Sequence, residues 1–300
     1  MNLTNNCALP ASIVEAVRRD PYDAGEADIS CTRLIAPPLI RHLERLHGAA
    51  ISEDASDRIW SLLGQAVHVI LHRAVQPGEL AEERLFADAG GWRISGAFDL
   101  FDGATLTDFK TTSAWSVKPP LKPEWTAQIN VLAWLLRCNG WSPQRGRIVA
   151  ILRDWRKNEA LRYGDDYPRR QVVELPVPLW TPEDAAAYVA ERVRLHRLDD
   201  PPICTPEERW DRPTVWAVQR EGRRTAVRLH SEREKAEAHA TALGAGHSVV
   251  ERPGASVRCS QYCAVAQWCA YAQRLAEQKA GLGCPECATA ETDEQRHGGR

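Results

Sequence analysis

Two aspartates and a lysine set close together carry the first chemical signal. The run GAFDLFDGATLTDFKT holds Asp99, Asp108 and Lys110. If Asp102-Gly103 makes a two-residue hairpin turn, Phe101 pairs with Ala104 and Asp99 stands opposite Leu106. Side chains alternate along a strand, so Asp108 and Lys110 share the face of Leu106 and therefore of Asp99. The carboxylates are then diagonal neighbours with Cβ atoms about 7 Å apart, close enough for both to hold one hard cation with Lys110 beside it. A four-residue loop keeps this parity, and a three-residue loop with a bulge breaks it. An isolated Asp-x-Lys is ordinarily an exposed face with a salt bridge. Here, however, six lysines stand against thirty-two arginines, so lysine at 110 is a marked choice, and its compact ammonium suits a reacting water or phosphate oxygen. His68 and Gln128 bring two more polar groups to the neighbourhood, although a lone histidine reads equally as a satisfied core residue. Carboxylates around magnesium or manganese are the equipment for activating water against a phosphodiester. One ion or two is left open.

Cys259, Cys263 and Cys269, in RCSQYCAVAQWCAYAQ, gather three soft ligands within one turn-and-helix segment. That spacing suits a soft metal or an iron–sulfur cluster. Structural zinc usually joins two short knuckles, whereas a cubane cluster accepts a remote fourth cysteine. Cys204 and Cys31 are the candidates for that fourth ligand; Cys204 is preferred, and Cys31 is expected to be a packing position. The alternative for the three is burial as small hydrophobes, which is also the reading for Cys7 and Cys138. Cys284 and Cys287 form a lone C-x-x-C that would suit zinc.

These side chains need elements to position them. Ile59, Leu62, Leu63, Val67, Ile70 and Leu71 recur at helical spacing between Ser56 and Val75, with Asp54 or Ser56 as the cap, so His68 rides on a long helix. The segment from Glu82 to Ser113, punctuated by Gly90-Gly91 and Asp102-Gly103, reads as a three-stranded meander. After a proline-stiffened loop, TAQINVLAWLLRCNG is a helix closed by Gly140 and RGRIVAILRDW is a strand. Thr181, Pro182 and Asp184 open a helix running to about Leu198. Beyond Pro201 a hairpin turns at Glu221-Gly222, Ser231 and Glu234 make a capping box for a helix to Gly244, and HSVVE is a short strand. A short helix is expected after Thr205-Pro206. Arg220, Arg223, Arg224 and Arg228 on the hairpin read as a phosphate-contacting face or, more commonly, as a solvated one. The expected organisation is an α/β core over 1–200, an appended ββαβ unit with the cysteine cluster over 201–283, and a disordered polar tail over 284–300.

Composition excludes several classes. At 300 residues, 44% hydrophobic and 26% charged, the chain is globular rather than disordered or collagen-like. A net charge of -2 offers no global attraction to a polyanion, so only local clusters can meet nucleic acid. The apolar run Val131 to Leu136 is far short of the roughly 20 residues of a membrane helix. The amino terminus shows neither a basic nor an apolar signal region, so a reducing, cytoplasmic location is expected. No GxxxxGK[ST] run is present, so any unwinding would fall to a partner chain.

The order Gly64-x-x-x-His68, Glu83, Asp99 in GAFDL, Asp108 and Lys110 in TDFKT, then Gln128 resembles the RecB-like branch of the PD-(D/E)XK nucleases over residues 25–140. The C-terminal cysteines extend the resemblance. It implies a restriction-endonuclease-like core, a central mixed sheet flanked by helices, with a cysteine-rich iron–sulfur element at the C-terminus. It further implies that His68, Asp99, Asp108 and the Phe109 carbonyl bind Mg2+ or Mn2+, and that Lys110 activates water and stabilises charge. Gln128 completes the catalytic set, although Leu132 stands where the family's Gln-x-x-x-Tyr motif has its tyrosine. A 4Fe-4S cluster on Cys204, Cys259, Cys263 and Cys269 is implied, with zinc the alternative. The implied activity is metal-dependent DNA hydrolysis, exonuclease favoured over endonuclease, on DNA ends or single strands in recombination, repair or phage DNA metabolism, alongside a helicase or recombination protein. The competing readings are a non-catalytic DNA-binding or scaffold protein that keeps the fold, and a zinc-stabilised protein with no nucleic-acid role.

Overall fold

The computed structural model describes residues 2–19, 25–223 and 225–281. Arg224, Cys284, Cys287 and the expected tail over 284–300 lie outside the described residues. The chain divides into two compact units, Met1–Pro202 and Ile203–Arg300.

In the first unit a five-stranded sheet has the order Val172–Val177, Arg145–Leu152, Thr105–Thr112, Leu100–Phe101, Leu80–Ala81. Thr105–Thr112 and Arg145–Leu152 run parallel, and the other neighbours antiparallel. Parallel neighbours need a crossover, which the helix Pro123–Cys138 supplies. That helix is buried almost all round, from Ile129 to Leu136 without interruption, because it touches strands of both sheets and the helices Cys31–Ile35 and Pro182–His196. Helices apolar on every side belong inside. Its one buried polar residue is tied down: the Asn130 amide donates to the carbonyls of Thr126 (2.9 Å) and Pro178 (3.2 Å) and accepts from the Trp180 N–H (2.6 Å).

A second sheet contains Ile29–Ser30, Trp92–Ala97 and Arg84–Ala89. The expected three-stranded meander is therefore divided between two sheets. Phe98 and Phe101 are both fully buried and meet edge to face. Residues three apart cannot share a side of an alternating strand, so the chain must bend between them. Asp99 sits in that bend. The following turn also differs from the expectation, for Leu100 pairs with Thr107 and Phe101 with Leu106, which leaves a four-residue loop. Asp102 sets its length, because Oδ1 accepts the N–H groups of Ala104 (2.9 Å) and Thr105 (2.6 Å) in an Asx turn.

The His68 helix runs Ile59–His72 behind a 3-10 turn whose cap is Asp54, with Oδ1 accepting the Ser56 N–H at 3.1 Å. None of its residues is fully buried. Thr181 caps the helix Pro182–His196 through Asp184 N–H, 3.1 Å. At that helix's other end His196 Nε2 (2.9 Å) and Arg192 Nε (3.0 Å) donate to the Leu34 carbonyl, closing the end of Cys31–Ile35. Cys7 and Cys138, expected to be buried, are exposed.

In the second unit Ala226–His230, Val215–Arg220 and His247–Arg252 form a sheet in that order. The helix Arg233–Leu243 packs on it through Ala236 and Ala240 against Val218, Trp216 and Val249. Its cap position is Glu232 without a side-chain cap, not the expected Ser231. After Thr205 the chain makes hydrogen-bonded turns instead of a helix. Asp211–Arg212 pairs with Ala255–Ser256, and a π-helical turn at Arg258–Tyr262 and a 3-10 turn at Ala266–Trp268 lead into Ala270–Gly281. No described helix is long and apolar enough to cross a membrane.

Candidate functional site

Register brings three carboxylates into one row. Ala81 pairs with Leu100 and Leu100 with Thr107, so one step on Glu82 faces Asp99 and Asp99 faces Asp108. The Glu82 N–H reaches the Asp99 carbonyl at 3.4 Å, and Asp99 Oδ2 accepts the Phe109 N–H at 2.6 Å. The two aspartates are thus directly opposed, where the two-residue turn would have set them diagonally. His68 Nδ1 lies 3.2 Å from Glu82 Oε1 and 3.5 Å from Asp99 Oδ1. Among the described residues, His68, Glu82 and Asp99 are the one set of His, Cys, Asp and Glu whose ligand atoms all lie within 4.8 Å of one another. With Phe109, His72 and Glu79 they line a cavity of about 220 Å³.

Glu82, not Glu83, is therefore the acid at the site. Glu83 is exposed and gives its carbonyl to Phe98 N–H at 3.3 Å. Glu82 has φ +53, a conformation uncommon for a residue with a Cβ, and such a kink erases the alternation by which the sequence would have revealed it.

Asp108 is 2% exposed. Its Oδ1 accepts from Lys110 Nζ (3.0 Å) and from Gln128 Nε2 (2.9 Å), while Nζ also donates to Gln128 Oε1 (2.9 Å). Oδ2 lies 2.8 Å from Nζ, yet it accepts no hydrogen bond; the ammonium's contacts of hydrogen-bonding geometry are with Oδ1 and Gln128. Burial first, and the facing Asp108 second, push the Asp99 carboxyl up to about 7, against the pull of His68, the Phe109 N–H and Lys110. The hydrogen bond to Glu82 raises the His68 imidazole above its ordinary value, with Asp99, Glu82 and Asp108 adding to it and burial opposing.

Cys204, Cys259, Cys263 and Cys269 all lie in the second unit, close enough to influence one another electrostatically, although no three of their sulfurs fall within 4.8 Å of one another. Burial pushes the Cys204 thiol up to about 12, helped by Glu208, Cys259, Cys269 and Cys263. Cys259 is raised by burial and then by Cys263 and Cys269. Arg258 draws the segments together, its N–H donating to the Arg209 carbonyl (3.0 Å) and its guanidinium to the Glu208 carbonyl (2.8 Å). Cys31 belongs to the core of the first unit, 3% exposed, with Sγ 3.8 Å from the Gln128 carbonyl. Arg220, Arg223 and Arg228 are exposed.

No family model matches the sequence, and no curated protein does. The crystal structure of SSO0001 aligns with 62% of this chain and 85% of its own, at 16% identity and a TM-score of 0.43.

Proposed function

We propose that the protein is a metal-dependent nuclease of the RecB-like PD-(D/E)XK type that hydrolyses DNA phosphodiesters, working as an exonuclease on ends or single strands. The observation that carries this reading is the row Glu82, Asp99, Asp108 beside His68, with Lys110 ion-paired to Asp108 and held by Gln128. Lys110 compensates Asp108, whereas the facing Asp99 carboxylate is costly to ionise there without a further cation, and an oxygen-rich set with one imidazole fits magnesium or manganese. Asp99, Asp108, His68 and Glu82, with the Phe109 carbonyl, would hold the ion. When bound, it would polarise the phosphate and lower the pKa of a water. Lys110, fixed between Asp108 and Gln128, sets a positive charge where negative charge develops on the phosphoryl oxygens. Gln128 orients that ammonium and shares Asp108 with it. The Phe109 N–H holds Asp99 in place.

We further propose that Cys204, Cys259, Cys263 and Cys269 hold a structural iron–sulfur cluster, with zinc the alternative that iron, sulfide and zinc analysis distinguishes. The nuclease reading is tested by incubating anaerobically purified protein with end-labelled single- and double-stranded DNA and Mg2+ or Mn2+, alongside Lys110→Ala. Metal-dependent products from the wild type alone are expected. Absence of cleavage, or equal cleavage by the variant, overturns the reading and leaves the non-catalytic binding protein in its place.

A further inference from the structure

Exposed aromatic rings paired with cations gather at one end of the strand that carries Asp108 and Lys110. Trp60, on the first turn of the His68 helix, is 55% exposed, and the Arg153 guanidinium lies over its ring at 4.0 Å. The Arg153 N–H donates to the Thr112 carbonyl at 3.0 Å, which places this pair at the C-terminal end of Thr105–Thr112. At the same end the Ala114 N–H donates to Asp154 Oδ1 at 2.7 Å. The next residue, Trp115, is 45% exposed, with Lys118 Nζ 4.6 Å from its ring and Tyr163 and Tyr167 edge-on at 5.5 and 5.3 Å. Lys118 also lies 4.0 Å from Asp166. Among the described residues no carboxylate lies within the 4.0 Å ion-pair distance of Arg153.

The helix runs against the strand, with Trp60 toward Thr112 and His68 toward Asp108. Eight helical residues span about 12 Å and four strand residues about 13 Å. The two lengths agree, so the rings begin about 12 Å from the acids. Carboxyl ends of parallel strands are a common ligand position in α/β sheets.

We propose that Trp60 with Arg153, and Trp115 with Lys118, form a stacking platform for unpaired bases of a DNA strand whose backbone passes into the acidic site. Each ring carries its cation over one face and would stack a base on the other, while the cation partners phosphate, the combination that binds single strands without reading sequence. A purely apolar partner would leave the cations without a purpose. Bases in a duplex have their faces covered, so the platform selects the unpaired strand. The proposal deepens the nuclease reading by naming the strand class, and it rests on that reading for the direction of the strand.

The test is equilibrium binding of a labelled oligodeoxythymidine and of a duplex of equal length to the full chain in Ca2+, followed by cleavage assays in Mn2+. Trp60→Ala and Trp115→Ala are each expected to weaken single-strand binding by about 5- to 100-fold, to leave duplex binding within about twofold, and Trp60→Phe to restore most of the loss. Unchanged single-strand affinity, or equal losses on both DNAs without rescue by phenylalanine, overturns the platform. Selective loss in a protein that never cleaves upholds the platform while the nuclease reading falls. Cleavage together with single-strand binding indifferent to both rings upholds the nuclease reading while the platform falls.

Discussion

Asp99 carries a carboxyl held up to about 7 by burial and by the facing Asp108. Between about pH 4 and 7 the folded protein keeps a proton that the unfolded chain has released, so stability is greatest below this window and declines as pH rises through it. His68, also raised, acts in the same direction at the upper end, its contribution present below about 6.5 and lost as pH climbs through its folded value. Metal-free protein should therefore be less stable at pH 8 than at pH 5 and melt at a lower temperature, with Asp99 contributing at most about 3 kcal/mol of the difference. Asp99→Asn should flatten the slope in thermal melts, and an unchanged slope would remove the assignment. Divalent metal binds the deprotonated group, so its stabilisation should grow from pH 6 to 8. Lys110→Ala should cut cleavage about 10²- to 10⁴-fold in a rate assay with folding intact, and Lys110→Arg should not restore it, because a planar fork does not replace a point charge between Asp108 and Gln128. The spacing of Asp99, Asp108 and Lys110 was readable in the sequence because a four-residue loop preserves the parity of a two-residue one. Glu82 was not, since its positive φ interrupts that parity.

At the scale of elements, helices and strands with an unbroken period were legible, as in the helix Pro123–Cys138 and the strand Arg145–Leu152. The division of the meander was not, because it depends on Phe98 and Phe101 turning into a core that only the assembled sheets define. Gln128 reaches Asp108 because its helix lies close on the sheet, and Gly146 permits that approach. A Cβ there would stand 2.6 Å from Ile129 Cγ2, 2.9 Å from Leu179 Cδ2 and 3.2 Å from the Val177 carbonyl. Gly146→Ala should cost about 1–3 kcal/mol by overpacking, and should also slow cleavage, since Ile129 adjoins Gln128 and a displaced helix lengthens the contacts with Asp108 and Lys110. Gly48→Ala, with nothing within 4 Å of the new methyl, is the neutral comparison. Equal melting temperatures and rates for the two variants would show that the helix has room to spare.

Across the whole molecule the chain makes two compact units with different means of support. The first buries an apolar helix and the strands around it, a pattern open to sequence reading. In the second, a helix rests on its sheet through alanines, Ala236 and Ala240, and a valine, so a bound metal has more folding free energy to contribute there. The spacing of Cys259, Cys263 and Cys269 was visible in the sequence, as was the preference for Cys204 over Cys31; the tie from Arg258 to Glu208 and Arg209 was not, because no spacing encodes it. The Cys204 and Cys259 thiols, raised by burial and by the neighbouring cysteines, would lose that penalty as thiolates on a cation. Cys263→Ser should accordingly lose metal and lower the melting temperature, whereas Asp108→Ala should leave metal content at the cysteines unchanged. Iron and sulfide with absorption near 400 nm in the wild type would identify a cluster, stoichiometric zinc without colour would identify a zinc site, and a Cys263→Ser protein equal to wild type in metal and melting would leave the four thiols as packing.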